Sequence, residues 1–327
     1  MNKKKLETLF EAMYHGKYSF KDFIESDISS EYEQIKLKER FVYKTTKKLK
    51  TFHSFINLFL LEYLNTNTRV VYSYRKGCNS LDAVSKHSQS KYFFQTDIKH
   101  FFESLTTPLI RKTIILGSEN SPISDIENYI ERIVSLVTLN ESLPLGFSSS
   151  PILSNACLYE FDNELESYCT RSGLVYTRYS DDIIVSGQEQ TTIEGIDQTI
   201  EELLHKCYDR QLEINKQKSK YTRKGNKVKL LGLAILPNGK VTVDIKIKNE
   251  IEVLLFHYIN NRDKFLDHAK VEQDISKGVD LLFGYLNYVS TIDKDYLEKL
   301  RKKFGATVVD MFLHRQKKKN KNHAANF

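Results

Sequence analysis

The chain has 327 residues, of which 40% are hydrophobic and 28% charged, and its formal net charge is +7. This length and apolar content suffice for buried cores, while the absence of a long apolar run or an apolar signal segment predicts no membrane span and no secretion. The four cysteines form no C-x-x-C pair and have no histidine at zinc-ligand spacing, so we expect a reduced, cytoplasmic protein without structural zinc.

The positive charge is concentrated in short stretches. Lys3 to Lys5 and the acid-free stretch Arg315 to Lys321 together carry eight positive charges, so the remainder of the chain is nearly neutral. A further basic run from Lys36 to Lys50 is interleaved with Phe41 and Tyr43, a combination that suits phosphates and bases. The alternative for any such run is a solvated charged face.

The first 90 residues alternate helical and β-like patterns. Residues 1–35 are predicted to be helical and polar, followed by a short strand at 40–43 and a helix at about 50–64. Val70 to Tyr74 is β-like, and residues 80–87 favour a short helix.

The next stretch contains a lone acid at the end of a predicted buried strand, Tyr92 to Ile98. That acid, Asp97, is either an ordinary turn residue or a carboxylate available for chemistry. Helices are predicted at about 108–116 and 123–139. A loop rich in Pro, Gly and Ser then leads into another helix, which starts at Pro151 and runs to about Ser167.

Two adjacent carboxylates are predicted at the tip of a β-hairpin, in the sequence Tyr179-Ser180-Asp181-Asp182. Neighbouring acids repel each other and add nothing to packing, so the pattern favours a bound cation. Mg²⁺ fits best, because it is held by one or two carboxylates together with substrate phosphates. An ordinary Asp-Asp turn is the alternative.

The last third is predicted to be mostly helical. Thr191 and Glu194 indicate a capping box at the start of a helix that runs to about Cys207. A strand is expected over Val228 to Leu236, with a hairpin turn at Pro237-Asn238-Gly239. From about Lys246 onward the pattern is helical.

Taken together, these segments resemble the bacterial reverse transcriptases, and most of all the defence-associated, retron-related group. In chain order the motifs are Arg40 to Lys50 with Tyr72 to Gly77, Asp97 to Phe102, Leu143 to Gly146 with Ser150 to Asn155, Tyr179 to Asp182, Asn215 to Ser219, and Leu230 to Leu233. The resemblance implies an α+β right-hand polymerase with fingers, a ferredoxin-like antiparallel palm and a helical thumb. The expected domains are 1–90 (N-terminal helices and fingers), 91–245 (palm, with an insertion at about 105–150) and 246–327 (thumb with a basic tail).

The resemblance also implies roles for individual residues. Asp97, Asp181 and Asp182 match the carboxylates that bind two Mg²⁺ ions, with the Ile98 carbonyl as a further ligand. Lys218 matches a lysine that acts as a general acid toward pyrophosphate. The matching substrate-binding residues are Arg40, Lys50, Phe102, Leu145, Gly146 and Tyr179. Arg40, Lys50 and Lys218 each have an alternative interpretation as a surface cation.

The implied activity is RNA-directed DNA synthesis, in which dNTPs are added to a 3′-hydroxyl. The expected partners are an RNA template, the nascent DNA, a structured non-coding RNA and a second protein of antiphage defence, with a homo-oligomer as a further candidate. Alternatives are a template-independent or repeat-synthesising nucleotidyltransferase and a non-catalytic RNA-binding scaffold. An RNA-dependent RNA polymerase is disfavoured, because that family usually has an Asp where this chain has Phe102.

The chain departs from the family pattern at two places. Retron enzymes usually carry Val-Thr-Gly near the thumb, where this chain has Val241-Thr242-Val243, and this departure favours the wider defence-associated group over the retrons themselves. Most reverse transcriptases have glutamine in the Leu-Pro-x-Gly loop, where this chain has Leu145. Leu145 offers no side-chain hydrogen bond to a nucleotide, and the sequence therefore predicts weaker dNTP binding together with a restricted product, such as a repeat or homopolymer. The alternative is that Leu145 only packs the loop and another side chain supplies the contact.

Overall fold

The computed structural model describes residues 2–37, 40–225, 227–271 and 274–313. The chain divides into two compact units, Met1–Arg223 and Lys224–Phe327. No helix within the described ranges combines the length and the apolar character needed to cross a membrane. The predicted basic tail from Arg315 to Lys321 lies outside the described residues.

A four-stranded antiparallel sheet forms the centre of the first unit. Its strands are β3 (Tyr92–Asp97), β4 (Val175–Tyr179), β5 (Asp182–Gly187) and β6 (Lys220–Arg223), in the order β4-β5-β3-β6. With helices after the first and third of these strands, this is the ferredoxin-like arrangement. The predicted α+β fold with an antiparallel palm sheet is confirmed.

Apolar side chains fix this sheet in the interior. Phe93 and Phe94 are adjacent on β3, so they point to opposite faces, and both are buried. Both faces of the central strand are therefore covered by other elements. Helices pack on this sheet and on one another, including α4 and α9 against β4 and α11 against α9. The helices of this unit are α1 (Leu6–Tyr14), α2 (Phe20–Glu25), α3 (Lys47–Phe59), α4 (Ser80–Lys86), α5 (Phe101–Ser104), α6 (Thr107–Gly117), α7 (Ile130–Val137), α8 (Ser150–Cys157), α9 (Tyr159–Arg171), α10 (Gln190–Ile193) and α11 (Ile196–Tyr208).

A separate hairpin, β1 (Tyr32–Leu37) with β2 (Arg40–Thr45), is joined to the loop before α8. The Tyr43 amide donates a hydrogen bond to the Leu145 carbonyl at 2.8 Å. Gly146 has φ +111°, and a Cβ there would lie 2.4 Å from the Tyr43 carbonyl oxygen. Only glycine permits this close approach, so Gly146 has a packing role here, and its predicted substrate contact stays a prediction.

The second unit consists of a small sheet and helices. The sheet order is β7 (Val228–Leu230), β8 (Leu233–Ile235), β9 (Val241–Val243), all antiparallel. The helices include α12 (Ile245–Asn260), α13 (Arg262–Ala269), α14 (Ile275–Ile292) and α15 (Lys294–Phe304), and residues 306–313 are also helical. The turn after Leu236 and the helical pattern from about Lys246 are confirmed.

The single strand predicted over Val228 to Leu236 is wrong. The chain reverses at Leu231 and Gly232, which have φ +50° and +77°, so the segment forms two paired strands. Two successive positive φ values are typical of a tight hairpin turn. The uninterrupted apolar run concealed this turn, because Leu231 is not a residue that normally marks one.

The capping box predicted at Thr191 and Glu194 is also wrong. The short helix α10 ends at Ile193, Gly195 takes a left-handed conformation at φ +79°, and α11 begins at Ile196 without a side-chain cap. The helical periodicity spans this break because apolar residues lie on the buried side of both helices.

The β-like segment Val70 to Tyr74 does not form a strand. Its contact with the sheet is an isolated bridge to Arg178. The Arg178 amide donates a hydrogen bond to the Val70 carbonyl at 2.8 Å, and the Tyr72 amide donates one to the Arg178 carbonyl at 3.0 Å. The chain then turns away at Tyr74, whose φ is +57°.

Candidate active site

Sheet pairing brings the three predicted carboxylates to one end of the palm. Asp97 is the last residue of β3, and it lies directly opposite Asp182, the first residue of β5. The Ile98 amide donates a hydrogen bond to the Asp181 carbonyl at 3.1 Å, which ties the β4–β5 turn to the end of β3. Residues 85 positions apart in the chain therefore converge because the strands are in this register.

The two oxygens of Asp97 have different surroundings. Oδ2 forms an ion pair with the Lys218 ammonium group. Oδ1 is buried and has no hydrogen-bond partner among the described residues. A buried carboxylate oxygen without a partner is unfavourable, so this atom is an available ligand for a cation.

Lys218 is placed by a turn at the other side of Asp97. The Asn215 amide donates to the Asp97 carbonyl at 2.8 Å, and the Lys218 amide donates to the Asn215 carbonyl at 2.9 Å. The Lys218 side chain is 57% exposed. It can therefore reach both Asp97 and a ligand in the open space beside it.

Asp182 carries the electrostatic signature of crowded carboxylates. Its pKa is raised to about 6, first because surrounding protein atoms remove part of its hydration and then because Asp181 and Asp97 repel its charge, while Lys218 partly opposes the shift. Asp182 is nevertheless an exposed residue, so solvent or a ligand can reach it. A bound cation would relieve both the repulsion and the proton uptake.

The donors suit Mg²⁺ although they do not form a complete cage. Within the described ranges, no three His, Cys, Asp or Glu side chains converge closely enough to hold a metal on their own. Mg²⁺ rarely requires such a cage, because substrate phosphates and water complete its oxygen shell. The carboxylates present fit this mode of binding.

A cavity of about 1570 Å³ opens beside these carboxylates. From the predicted site residues, those lining it are Arg40, Asp97, Ile98, Phe102, Leu145, Asp181 and Lys218. Lys50, Gly146, Tyr179 and Asp182 do not line it. Lys50 is exposed on α3, and Tyr179 is half-buried next to the turn. Their predicted substrate contacts stay predictions.

Two apolar side chains contribute to the cavity wall. Phe102 is half-buried and packs edge-on against Phe101, with ring centroids 5.2 Å apart. Leu145 is also half-buried, and its carbonyl is already bonded to Tyr43. The loop therefore presents an apolar side chain to the cavity at this position.

Sequence reasoning missed the residues behind the Asp-Asp turn. Tyr74 is 46% exposed and lines the cavity, and its hydroxyl hydrogen-bonds with Ser180 Oγ at 2.9 Å. Arg178 is fully buried beneath the same turn. A basic residue within the apolar run Leu174 to Arg178 was the available signal, since a charge in a buried strand requires a partner.

The chain is similar to proteins of one family. Residues 38–235 match the family described as reverse transcriptase (RNA-dependent DNA polymerase). The retron Ec83 reverse transcriptase of Escherichia coli is 26% identical over 259 residues, which cover 76% of this chain and 79% of that protein. The retron Ec86 reverse transcriptase of the same species is 22% identical over 273 residues, covering 81% and 78%.

A solved structure also matches. It is telomerase from Candida albicans in complex with a fragment of telomeric RNA, with a TM-score of 0.48 and 11% identity. The match covers 94% of this chain and 62% of that chain.

Proposed function

The chain belongs to the reverse transcriptase family and is an RNA-directed DNA polymerase, and from this premise we propose that it extends a 3′-hydroxyl with dNTPs by using two Mg²⁺ ions held by Asp97, Asp181 and Asp182. The family match covers more than half of the chain. Together with the retron relatives, this match confirms the prediction that the chain belongs to a bacterial, retron-related reverse transcriptase family.

One observation carries the metal proposal. Asp97 Oδ1 is buried and lacks a hydrogen-bond partner among the described residues. Asp97 also pairs across the sheet with Asp182, whose pKa is raised first by burial and then by the neighbouring acids. When bound, Mg²⁺ would activate the attacking hydroxyl and stabilise charge on the leaving pyrophosphate. The Ile98 carbonyl remains a proposed additional ligand.

Three residues that line the cavity have different proposed roles in the reaction. Lys218 can pass its proton to the leaving pyrophosphate, because its exposed side chain reaches the edge of the cavity from Asp97. Arg40 adds a cation to the cavity wall for the triphosphate. Phe102 forms a wall that would exclude a ribose 2′-hydroxyl by steric clash.

The template and the biological setting are further proposals. We extend to this chain the sequence-based prediction that a structured non-coding RNA serves as template and that the enzyme acts in antiphage defence with a second protein. The retron identity of the relatives supports this proposal. The apolar Leu145 in the cavity wall favours, as a second candidate, synthesis of a repeat or homopolymer.

Substitution of Asp181 by Asn tests the assignment. This change removes charge and little volume, so the protein should fold while primer extension on an RNA template falls by orders of magnitude. Asp22→Asn makes the same chemical change at an exposed site on α2 outside the cavity and serves as the control. Extension by Asp181→Asn at the wild-type rate would refute the metal assignment.

A further inference from the structure

A buried ion pair lies directly beneath the Asp-Asp turn. The Arg178 guanidinium on β4 donates from Nε and Nη2 to the two carboxylate oxygens of Asp162 on α9, at 2.8 and 2.7 Å. Both side chains are completely buried. The Tyr176 hydroxyl also donates to Asp162 at 2.7 Å, so the carboxylate is well satisfied.

Stability alone does not explain this pair. Removing two charges from water is unfavourable, and replacing a buried ion pair with apolar residues of similar volume is often neutral or stabilising. The two charges of the pair offset each other, and the charged groups that shift the pKa of the neighbouring Asp182 are Asp181, Asp97 and Lys218 rather than Arg178. Its remaining distinctive property is the direction in which it holds the guanidinium group.

The free edge of Arg178 points to the catalytic turn. Nη1 donates to the carbonyl of Ser180 at 3.0 Å and to the Asn155 side-chain oxygen at 3.2 Å. Ser180 has φ +60°, a left-handed conformation that non-glycine residues rarely adopt. An unfavourable conformation of this kind persists only where surrounding contacts determine it.

Further contacts complete the restraint on Ser180. Its amide donates to Ser73 Oγ at 2.8 Å, and its hydroxyl hydrogen-bonds with Tyr74 at 2.9 Å. Asn155 on α8 links these contacts to Arg178, because its amide nitrogen donates to the Ser73 carbonyl at 2.9 Å. The amide, carbonyl and hydroxyl of Ser180 are thus all bonded to groups outside the turn.

We propose that Arg178, oriented by Asp162 and Asn155, is a positioning residue for catalysis, which holds Ser180 in its left-handed conformation and thereby aims Asp181 and Asp182 at Asp97. Arg178 acts through the Ser180 carbonyl and touches no reacting atom. The inference rests on the proposed function, since it takes Asp181 as a catalytic carboxylate.

The test separates orientation from stability. The double variant Arg178→Met, Asp162→Leu replaces the pair with apolar residues and is expected to fold. We expect kcat for primer extension to fall about 100-fold, because misplacement of catalytic groups by about 1 Å has effects of this size. KM for dNTP should stay unchanged, since the nucleotide-contacting residues are intact.

A matched control lies one residue away on the same strand. Thr177 is buried and its hydroxyl lies 2.7 Å from a ring nitrogen of His87, with no bond to the turn. Thr177→Val should lower stability but leave kcat per folded molecule unchanged. A kcat within about threefold of wild type in the folded double variant would overturn the positioning role.

If the double variant fails to fold, a second variant tests the positioning role. Ser73→Ala leaves the ion pair intact and removes the acceptor for the Ser180 amide. We expect kcat to fall about tenfold with KM unchanged, as the loss of one buried hydrogen bond implies, and an unchanged kcat would overturn the proposal. Asp181→Asn is measured in the same assay. An active Asp181→Asn would refute the proposed function. An inactive Asp181→Asn, together with full activity of Ser73→Ala and of the Arg178→Met, Asp162→Leu variant, would refute only the positioning role.

Discussion

His87 makes the fold sensitive to acid. Its ring is fully buried between two hydroxyls, with Nδ1 2.6 Å from Ser186 Oγ and Nε2 2.7 Å from Thr177 Oγ1. Burial lowers the pKa of His87 to about 3. Burial likewise lowers the pKa of His53 to about 4, although its bond to the Leu136 carbonyl opposes the shift. Both histidines therefore stay neutral in the folded protein under mildly acidic conditions.

The free energy of unfolding follows from the difference in proton binding. In the unfolded chain a histidine titrates near pH 6.5, so between that pH and its folded pKa only the unfolded state binds the proton. The contribution of His87 to the free energy of unfolding is fully present above about pH 6.5. It decreases by about 1.4 kcal/mol per pH unit as the pH falls toward about 3. At about pH 4.5, His87 lowers the free energy of unfolding by about 3 kcal/mol.

His87→Gln removes this proton site and retains hydrogen-bonding groups. Calorimetric unfolding at about pH 5 in two buffers of different ionisation enthalpy measures the number of protons taken up. We expect the wild type to take up about one proton more than His87→Gln, and His53→Gln to show the same deficit. Equal uptake by wild type and His87→Gln would show that the buried ring is already protonated in the fold.

Further expectations concern the cavity. Lys218→Met should raise Mn²⁺ affinity about fivefold in an EPR titration, because the partly exposed Lys218 no longer pairs with Asp97 and such a pair contributes about 1 kcal/mol. Unchanged affinity would show that Lys218 does not compete with the cation for Asp97. Phe102→Ala should admit ribonucleotides, and an unchanged dNTP over rNTP preference would make Phe102 a packing residue only. Leu145→Gln should lower KM for dNTP several-fold by adding a hydrogen bond worth ~1 kcal/mol. If the variant and the wild type have the same KM and the same product sequence, the residue at this position does not affect nucleotide binding.

Local patterns predicted the hairpin that carries Asp181 and Asp182 well. β4 and β5 are short apolar strands flanking the polar turn at Ser180, and their pairing depends on residues close in the chain. Asp97 was identified as a candidate by its place at the end of an apolar strand, but the register that sets it opposite Asp182 required the structure. The pairing of strands that lie far apart in the chain cannot be predicted from the local spacing of apolar residues.

The residues that sequence reasoning missed depend on contacts between separate segments. Asp162 is one of several acids on α9. Its helical spacing from Leu165 and Cys169 places it on the buried face, unlike the exposed Glu160 and Glu164, but this spacing does not identify its partner. Its role follows only from burial against Arg178. The left-handed Gly195 was likewise missed, because the Thr191 and Glu194 spacing satisfied a capping pattern that the chain does not use.

The close contact at Gly146 gives the cavity a mechanical property. The loop carrying Leu145 is bonded to β2 through Tyr43, and Gly146 lets the two backbones touch with no side chain between them. Arg40 lies on that same strand. A displacement of β2 that moves Arg40 should therefore also move Leu145, because the Tyr43 hydrogen bond and the close contact at Gly146 join the two segments.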